Sequence, residues 1–221
     1  MHKTYGLKRC GEASSELIQD AMELFHDTAW HTEKTARGEH QKAIYKVSEC
    51  LSCNMLRDQV EHPRLKELGR EMAKQVMAMN LVPADCIPIY SELNILLPMS
   101  SVAWHHDRTK RHAMTYRVSL PLTDEPDIDY CFTSWAAHTP VGVGDFIALN
   151  YRARDMRSYK MQRGHFHLFN NRVPHATVSK SQRLRPMLLV DFAPAAQVEQ
   201  TYFSSMEFAP VSADERLPLL E

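Results

Sequence analysis

The apolar residues of this chain change their spacing near residue 88, and that change limits the folds open to it. Before this point they recur at steps of three and four residues, which is typical of amphipathic helices. The pattern predicts one helix from Ser14 or Ser15 to about Trp30 and another that begins at Pro63. The polar segment between them, residues 31 to 60, predicts no element.

After residue 88 the chain breaks into short apolar or alternating runs separated by turn residues, which is typical of strands. The clearest runs are Ile89 to Leu97, Ala113 to Leu122, Phe146 to Tyr151, Val173 to Ser179 and Arg183 to Phe192. In the second run Arg117 and Ser119 alternate with apolar residues and therefore share one face. The short polar loop Lys180 to Gln182 allows a hairpin between the last two runs. Helices followed by strands predict an α+β chain, mainly β, in which an antiparallel sandwich or barrel carries helices on its outside.

Length and composition favour one ordinary globular domain. The chain has 221 residues, a formal net charge of -1 and 24% charged residues, so nucleic acid is not an expected partner. We interpret residues 1–221 as a single domain with a mainly helical part (1–88), a strand-rich core (89–194) and a C-terminal tail (195–221). No apolar run approaches the roughly 18 residues of a membrane span, and no signal-peptide pattern follows Met1, so a cytoplasmic location is expected.

The five cysteines are odd in number and scattered, which argues against a disulfide framework. Cys50 and Cys53 form a Cys-x-x-Cys pair, yet no second pair stands at zinc-ribbon spacing. The pair is therefore interpreted as two free thiols on a local turn.

One short motif, His105-His106-Asp107, carries candidate metal ligands. A period of two places His105 and Asp107 on the same side, while His106 points away. His175 follows seventy residues after His105, at the start of a predicted strand that a rolled sheet can bring beside the motif. Two imidazoles and one carboxylate on one side of a metal leave open positions, which is the coordination typical of non-haem Fe(II) oxygenases. A lone His-x-Asp pair occurs by chance in many chains, so the prediction depends on what accompanies it.

Arg185 lies ten residues after His175, where an antiparallel hairpin would return it to the metal. An arginine binds a carboxylate through two parallel hydrogen bonds, so a buried one can anchor the far end of a dicarboxylate that chelates iron. Arg183 shares its face and is the alternative anchor, although a solvent-facing arginine at a strand start is the simpler interpretation of that residue.

The segment before His175 is rich in positive charge. If it lies at the mouth of the barrel, it would attract an anionic substrate, and otherwise it is a solvated loop. Its cations are Arg152, Arg154, Arg157, Lys160 and Arg163, against the single carboxylate of Asp155. The histidines of the same region, interpreted as partly buried structural groups, are His138, His165 and His167.

These features resemble the Fe(II)/2-oxoglutarate-dependent dioxygenase superfamily. The motifs that carry the resemblance are His105-x-Asp107, Gly144-Asp145 before a strand, His175, and Arg185 ten residues later. The segments Arg117–Leu122 and Arg185–Phe192 look most like the aspartyl/asparaginyl beta-hydroxylase and free proline hydroxylase branch. The resemblance covers roughly residues 89–194 and implies a double-stranded β-helix core, also called a jelly roll or cupin-like barrel.

The resemblance also implies roles for individual residues. The three ligands of Fe(II) would be His105, Asp107 and His175. Arg185 would bind the distal carboxylate of 2-oxoglutarate, and Arg117 would contact the co-substrate or the substrate. The serine or threonine expected two residues after the arginine is Met187, so the hydroxyl contact it would make has to come from elsewhere or be absent.

The implied activity is oxidation of a small anionic molecule by O2, with succinate and CO2 as co-products. An amino acid or a natural-product intermediate is the expected substrate and hydroxylation the expected outcome, with desaturation or ring closure as variants. A nucleic-acid- or protein-directed oxygenase of the superfamily is one alternative, although the nucleic-acid branch usually has a second arginine where this chain has Asp191. The other alternative is a catalytically silent barrel that binds a ligand, and a homodimer is compatible with each of these.

Overall fold

The larger of two antiparallel sheets carries the helices that the structure describes. This computed structural model describes residues 7–30, 48–56, 62–105, 116–124, 126–132, 140–143, 146–149, 156–169 and 175–198. The helices are α1 (Ser15–Asp27) and α2 (Pro63–Ala78). The strands are β1 (Lys8–Glu12), β2 (Ser48–Asn54), β3 (Cys86–Leu96), β4 (Ser101–His105), β5 (Tyr116–Pro121), β6 (Ile128–Phe132), β7 (Pro140–Val143), β8 (Phe146–Leu149), β9 (Arg157–Tyr159), β10 (His165–Phe169), β11 (His175–Ser179) and β12 (Arg185–Pro194).

Most of the strands belong to two sheets that pack face to face. Six strands form the major sheet, in the order β1-β10-β5-β12-β3-β2, and four form the minor sheet, in the order β4-β11-β6-β9. The pairings within both sheets are antiparallel, and β7 pairs with β8. From β3 to β6 and from β10 to β12, consecutive strands alternate between the sheets, as in a jelly roll. The expected β-rich jelly-roll core with helices outside it is confirmed.

The two helices begin where the sequence predicts. Ser14 caps α1, because its Oγ accepts a hydrogen bond from the Leu17 N–H at 3.2 Å. Gln75 of α2 donates to the same Oγ at 2.9 Å, which ties the helices together. Pro63 occupies the first turn of α2, where its missing N–H costs no hydrogen bond. In the described part of the chain, no helix is long and apolar enough to cross a membrane.

Strand alternation divides the core into two layers. Val118 and Leu120 of β5 pack with the helices on the outer side of the major sheet. Arg117 and Ser119 alternate with them and therefore face the minor sheet, so the predicted common face of these two residues is confirmed. The layer between the sheets, which we call the inter-sheet interior, has as its apolar members Leu96, Ile128, Tyr130, Phe132, Met161, Phe169, Met187 and Leu189.

Two strands precede residue 88, so the expected single change from helices to strands is wrong. β1 and β2 are the edge strands of the major sheet. An edge strand pairs on one side only and is often short or polar, so it shows little apolar pattern. Cys50 and Cys53 lie on β2, opposite Asn94 and Ser91, rather than on a turn. Cys53 is a buried free thiol, and burial raises its pKa.

The hairpin allowed by the loop at Lys180 is absent from the structure. β11 pairs with β4 and β6 in the minor sheet, whereas β12 pairs with β3 and β5 in the major sheet. Residues 180–184 therefore cross from one sheet to the other. The loop does not specify the pairing, because the partners of both strands come from distant parts of the chain.

The five strands predicted after residue 88 correspond to β3, β5, β8, β11 and β12. Residues 113–115, 150–151 and 173–174 of the predicted runs lie outside the described residues. Strands β4, β6, β7, β9 and β10 were not predicted, and each of them has only three to five residues.

Candidate functional site

His105 and His175 are direct cross-strand partners in the minor sheet. β4 ends at His105, β11 begins at His175, and the antiparallel register pairs the two residues. The register shifts between this pair and the pair of Val102 with Thr177, which indicates a bulge in β4. In a regular strand, residues three apart face opposite ways. The bulge therefore lets His105 pair with His175 while Val102 pairs with Thr177.

The imidazole of His175 is buried between two aromatic rings. It stacks on Phe132, with ring centroids 6.0 Å apart and an interplanar angle of 27°. Phe169 packs against it at 5.4 Å and a steep angle of 68°. Phe132 belongs to the minor sheet and Phe169 to the major sheet. The His175 side chain therefore points into the inter-sheet interior.

The other two predicted ligands fall at the limit of what the structure describes. Only the backbone of His105 is within the described part, and His106 and Asp107 lie outside it. Among the described residues, no group of three His, Cys, Asp or Glu side chains is placed to hold a metal ion. The triad of His105, Asp107 and His175 stays a prediction, to which the structure adds the pairing of its two histidines.

Arg185, at the start of β12, is buried in the same interior. Only 3% of its surface is exposed. Its Cζ lies 4.8 Å from the centroid of the Tyr130 ring, a cation–π contact, and its Nη2 lies 2.7 Å from Sδ of Met187. Arg183, the alternative anchor, is exposed in the loop before β12. Of these two arginines, Arg185 is the one placed to meet a ligand between the sheets.

One strand connects the histidine with the arginine. Phe132, which stacks on His175, and Tyr130, which lies under Arg185, are two residues apart on β6 and face the same interior. Two residues along a strand span about 7 Å. His175 and Arg185 belong to different sheets. Their side chains nevertheless contact neighbouring inward positions of the same strand, β6.

Arg117, predicted to contact the co-substrate or the substrate, forms an ion pair with Asp191. Its Nε lies 2.7 Å from Oδ1 and its Nη2 lies 2.8 Å from Oδ2, so one edge of the guanidinium binds the carboxylate with two hydrogen bonds. The two residues are register partners on β5 and β12. Asp191 is 1% exposed and Arg117 15%. This edge of Arg117 serves the fold, and a contact with a ligand stays a prediction.

Replacing Arg117 by Met is expected to lower the free energy of unfolding by about 2 to 3 kcal/mol, because the Asp191 carboxylate stays buried without its partner. The expected loss lies below that of a fully buried pair, since Arg117 is partly exposed. Urea unfolding followed by circular dichroism measures it. Adding Asp191→Leu should recover most of the loss. Parental stability of Arg117→Met, combined with loss of 2-oxoglutarate binding, would instead assign Arg117 to the ligand.

The basic segment before His175 is only in part a loop. Arg157 begins β9, which pairs with β6, and it is exposed. Lys160 forms an ion pair of 2.9 Å with Asp129, and its hydrogen bond holds the pKa of that carboxyl below the usual value. Arg163 is exposed, and Arg152 and Arg154 lie outside the described residues. Among the described cations of this segment, Arg157 and Arg163 are therefore exposed, and Lys160 is paired with Asp129.

Two polar side chains that were not predicted as site residues face the same interior. Ser119 is 0% exposed, His167 is 1% exposed, and they are cross-strand partners on β5 and β10. Neither Ser119 Oγ nor Nδ1 of His167 has a hydrogen-bond partner within the described part of the chain. His167 is thus more deeply buried than expected. Its position between Phe166 and Leu168, which pack toward the helices, is the signal that places it on the inner face.

No protein-family model matches the chain, and a search of curated proteins finds no match. Several solved structures do match it. AviO1 from Streptomyces viridochromogenes is 15% identical, with a TM-score of 0.54 over 88% of this chain and 92% of AviO1. The non-haem alpha-ketoglutarate-dependent epimerase SnoN from nogalamycin biosynthesis is 12% identical, with a TM-score of 0.57 over 86% of this chain and 79% of SnoN. HygX from Streptomyces hygroscopicus, solved with nickel, 2-oxoglutarate and hygromycin B bound, is 12% identical, with a TM-score of 0.54 over 87% of this chain and 84% of HygX.

These matches extend over most of each chain, so the protein shares the fold of these structures. Identities of 12 to 15% concern the fold alone. SnoN and HygX are both described with 2-oxoglutarate, of which alpha-ketoglutarate is another name. The expected fold is confirmed, and the hydroxylase branch stays a prediction.

Proposed function

We propose that this protein is an Fe(II)- and 2-oxoglutarate-dependent oxygenase that hydroxylates, or otherwise oxidises, a small anionic molecule. One observation carries the proposal. The register of a jelly roll pairs His105 with His175, while Arg185 is buried in the interior that the His175 imidazole enters. A metal site and a carboxylate anchor are thereby supported at neighbouring positions in one space.

The donor set fits a ferrous ion. Directly opposed residues of an antiparallel pair have Cβ atoms about 4.5 to 5.5 Å apart, so two histidines in this register can reach one ion. Asp107, two residues after His105, supplies the carboxylate. Two imidazoles and one carboxylate leave coordination positions open, which suits Fe(II). When bound, the ion would activate O2, so that oxidative decarboxylation of 2-oxoglutarate is coupled to oxidation of a substrate C–H bond.

The residues of the chain bind, orient and exclude water. Phe132 stacks on the imidazole of His175 and Phe169 packs against it at a steep angle, so the two rings restrict its orientation. Arg185 offers a guanidinium in a buried setting, where its attraction for a carboxylate is less screened than in water. The step of about 7 Å along β6 suits a five-carbon diacid that reaches from the histidine toward Arg185.

A small acid is the substrate class that the chain favours. Arg157 and Arg163 are exposed in the basic segment, where they can attract an anion. HygX is described with hygromycin B bound and SnoN with nogalamycin biosynthesis, and both of these products are small molecules. A free amino acid or a natural-product intermediate with a carboxylate fits both observations.

The test of the function is release of succinate from 2-oxoglutarate. The purified protein with Fe(II), ascorbate and O2 is expected to form succinate, at a rate that a substrate increases. The same protein without iron is the control. A protein that binds Fe(II) and 2-oxoglutarate yet forms no succinate with any candidate is a silent binding module, and one that binds neither contradicts the proposal.

A screen of amino acids and related acids tests the substrate class. Acids are expected to stimulate succinate release, with a KM that rises with salt, because screening weakens attraction between exposed charges. The amide of the best acid is the matched control and should stimulate far less. Equal stimulation by acid and amide would contradict an anionic substrate.

A further inference from the structure

Two polar atoms of the inter-sheet interior are buried without a hydrogen bond to any described group. They are Oγ of Ser119, which is 0% exposed, and Nδ1 of His167, which is 1% exposed. A buried polar atom without a partner is costly and rare in native proteins, so each one calls for a reason. A polar ligand that enters the interior is such a reason.

The two atoms belong to neighbouring side chains. His167 of β10 is the register partner of Ser119 on β5, and Leu189 of β12 is the partner of Ser119 on its other side. Directly opposed residues on one face of an antiparallel pair have Cβ atoms about 4.5 to 5.5 Å apart. Oγ and Nδ1 can therefore reach the same group.

Both atoms can donate a hydrogen bond. Nε2 of His167 lies 3.0 Å from the backbone N of Gln162, which donates to it when Nε2 carries no proton, and 3.2 Å from the Gln162 carbonyl oxygen, to which Nε2 donates when it is protonated. Burial, with a contribution from neighbouring cations that include Arg185, lowers the pKa of His167 to about 4, so the ring is neutral near pH 7. In the neutral tautomer whose Nε2 accepts from Gln162, the proton lies on Nδ1. Ser119 adds an O–H group beside this N–H group.

The guanidinium of Arg185 is near enough to His167 to contribute to the lowering of its pKa. Met187 lies two residues after Arg185 on β12, and Leu189, the partner of Ser119, lies two residues further. Nη2 of Arg185 lies 2.7 Å from Sδ of Met187, so the guanidinium contacts the residue that stands between Arg185 and Leu189 on this face. A cation beside two neutral donors in a buried space is the chemistry that binds a carboxylate.

We propose that Ser119 and His167 bind the distal carboxylate of 2-oxoglutarate together with Arg185, by donating Oγ–H and Nδ1–H to its oxygens. The inference rests on the proposed function and names further residues of its co-substrate subsite. Met187 stands where a hydroxyl was expected on β12, and Ser119 supplies a hydroxyl from the adjacent strand instead. The two unpaired atoms gain their partners when the co-substrate enters.

Ser119→Ala and His167→Phe are each expected to weaken binding of 2-oxoglutarate about ten- to a hundredfold, because each removes a donor to a charged group. Calorimetric titration of the Fe(II)-loaded protein without oxygen measures the affinity. Ser119→Thr keeps the hydroxyl, and His167→Asn keeps a donor near the position of Nδ1. Both should bind more tightly than the variants that lack the donor.

A second ligand and a matched serine separate direct contact from disturbed packing. 2-Oxopentanoate has the same chain length without the distal carboxylate, so Ser119→Ala should bind it as the parent does. Ser91 is equally buried in the major sheet, but its Oγ lies 3.4 Å from Leu65 O on the helix side. Ser91→Ala should leave 2-oxoglutarate affinity unchanged.

The ligand-free protein provides a readout that does not involve activity. Ser119→Ala removes an unpaired buried hydroxyl, so it should raise Tm by about 2 to 4 °C. Ser91→Ala removes a bonded hydroxyl and should not raise it. A lower Tm for Ser119→Ala would mean that its Oγ is satisfied without a ligand, which overturns the inference.

The outcomes separate the inference from the function on which it rests. If the parent does not bind 2-oxoglutarate, the proposed function fails. If the parent binds and both Ser119→Ala and His167→Phe bind equally well, the function stands and the inference is overturned. Equal loss of 2-oxoglutarate and 2-oxopentanoate binding also overturns it, because the lost contact would then not involve the distal carboxylate.

Discussion

We expect substrate-stimulated succinate release to fall roughly a thousandfold or more in each of the variants His175→Ala, His105→Ala and Asp107→Ala. The reason is that a bound metal would stabilise the transition state by several kcal/mol, and a variant that cannot hold the metal loses this stabilisation. Fe(II) affinity should fall in parallel, since each variant lacks one of the three proposed ligands. The fold should persist, because the proposed metal site is an open one that would serve chemistry rather than folding. Succinate assays, Fe(II) titration and circular dichroism measure the three effects.

His106→Ala is the matched control for the metal ligands. It removes an imidazole from the same motif, and a period of two turns His106 away from His105 and Asp107. Its activity should stay near that of the parent. If His106→Ala were as damaging as His105→Ala, the assignment of His105 would be wrong, and parental activity of any of the three ligand variants would remove that residue from the triad.

Arg185→Gln is expected to weaken 2-oxoglutarate binding by about 2 to 5 kcal/mol, or roughly 30- to several-thousandfold. The variant replaces a charged bidentate contact with a weaker neutral one and leaves the carboxylate of the co-substrate in a buried space without a counter-charge. Fe(II) affinity should be nearly unchanged, because Arg185 is not a ligand of the metal. Anaerobic titration of the Fe(II) protein, followed by the visible charge-transfer band expected of keto-acid chelation, measures the effect.

Arg183→Gln is the control for the anchor, since it removes the same charge two residues away at an exposed position. It should change 2-oxoglutarate affinity far less than Arg185→Gln. The reverse result would make Arg183 the anchor. Absence of the band in the parent protein would contradict the oxygenase proposal itself.

Several elements of the fold can be predicted from interactions within a single helix turn or a single strand. Ser14 caps α1 and Pro63 begins α2, because a cap and a first-turn proline act within one turn of chain. The common face of Arg117 and Ser119 follows from the two-residue period of a single strand. The same period, applied to His165–Phe169, would have placed His167 on the inner face.

Pairing between distant strands was not available from the sequence. β2 is mostly polar in sequence and is not predicted, although Leu51 and Cys53 alternate on it and pack with the helix-side core while its backbone pairs with β3. The segments of His175 and Arg185 looked like two arms of a hairpin. They belong to opposite sheets, and the proposed site brings them together because the two sheets pack face to face.

The sequence by itself determined the residue types of the candidate site and the face that Arg117 and Ser119 share on their strand. Only the tertiary structure decided which residues are neighbours: His105 with His175, Arg117 with Asp191, and Ser119 with His167. The physical reason is that side-chain alternation is a property of one strand, whereas register depends on the burial and hydrogen bonding of two. Asp191 illustrates the difference, because a carboxylate within an apolar strand acquired its role only when the register of β5 on β12 placed a guanidinium beside it.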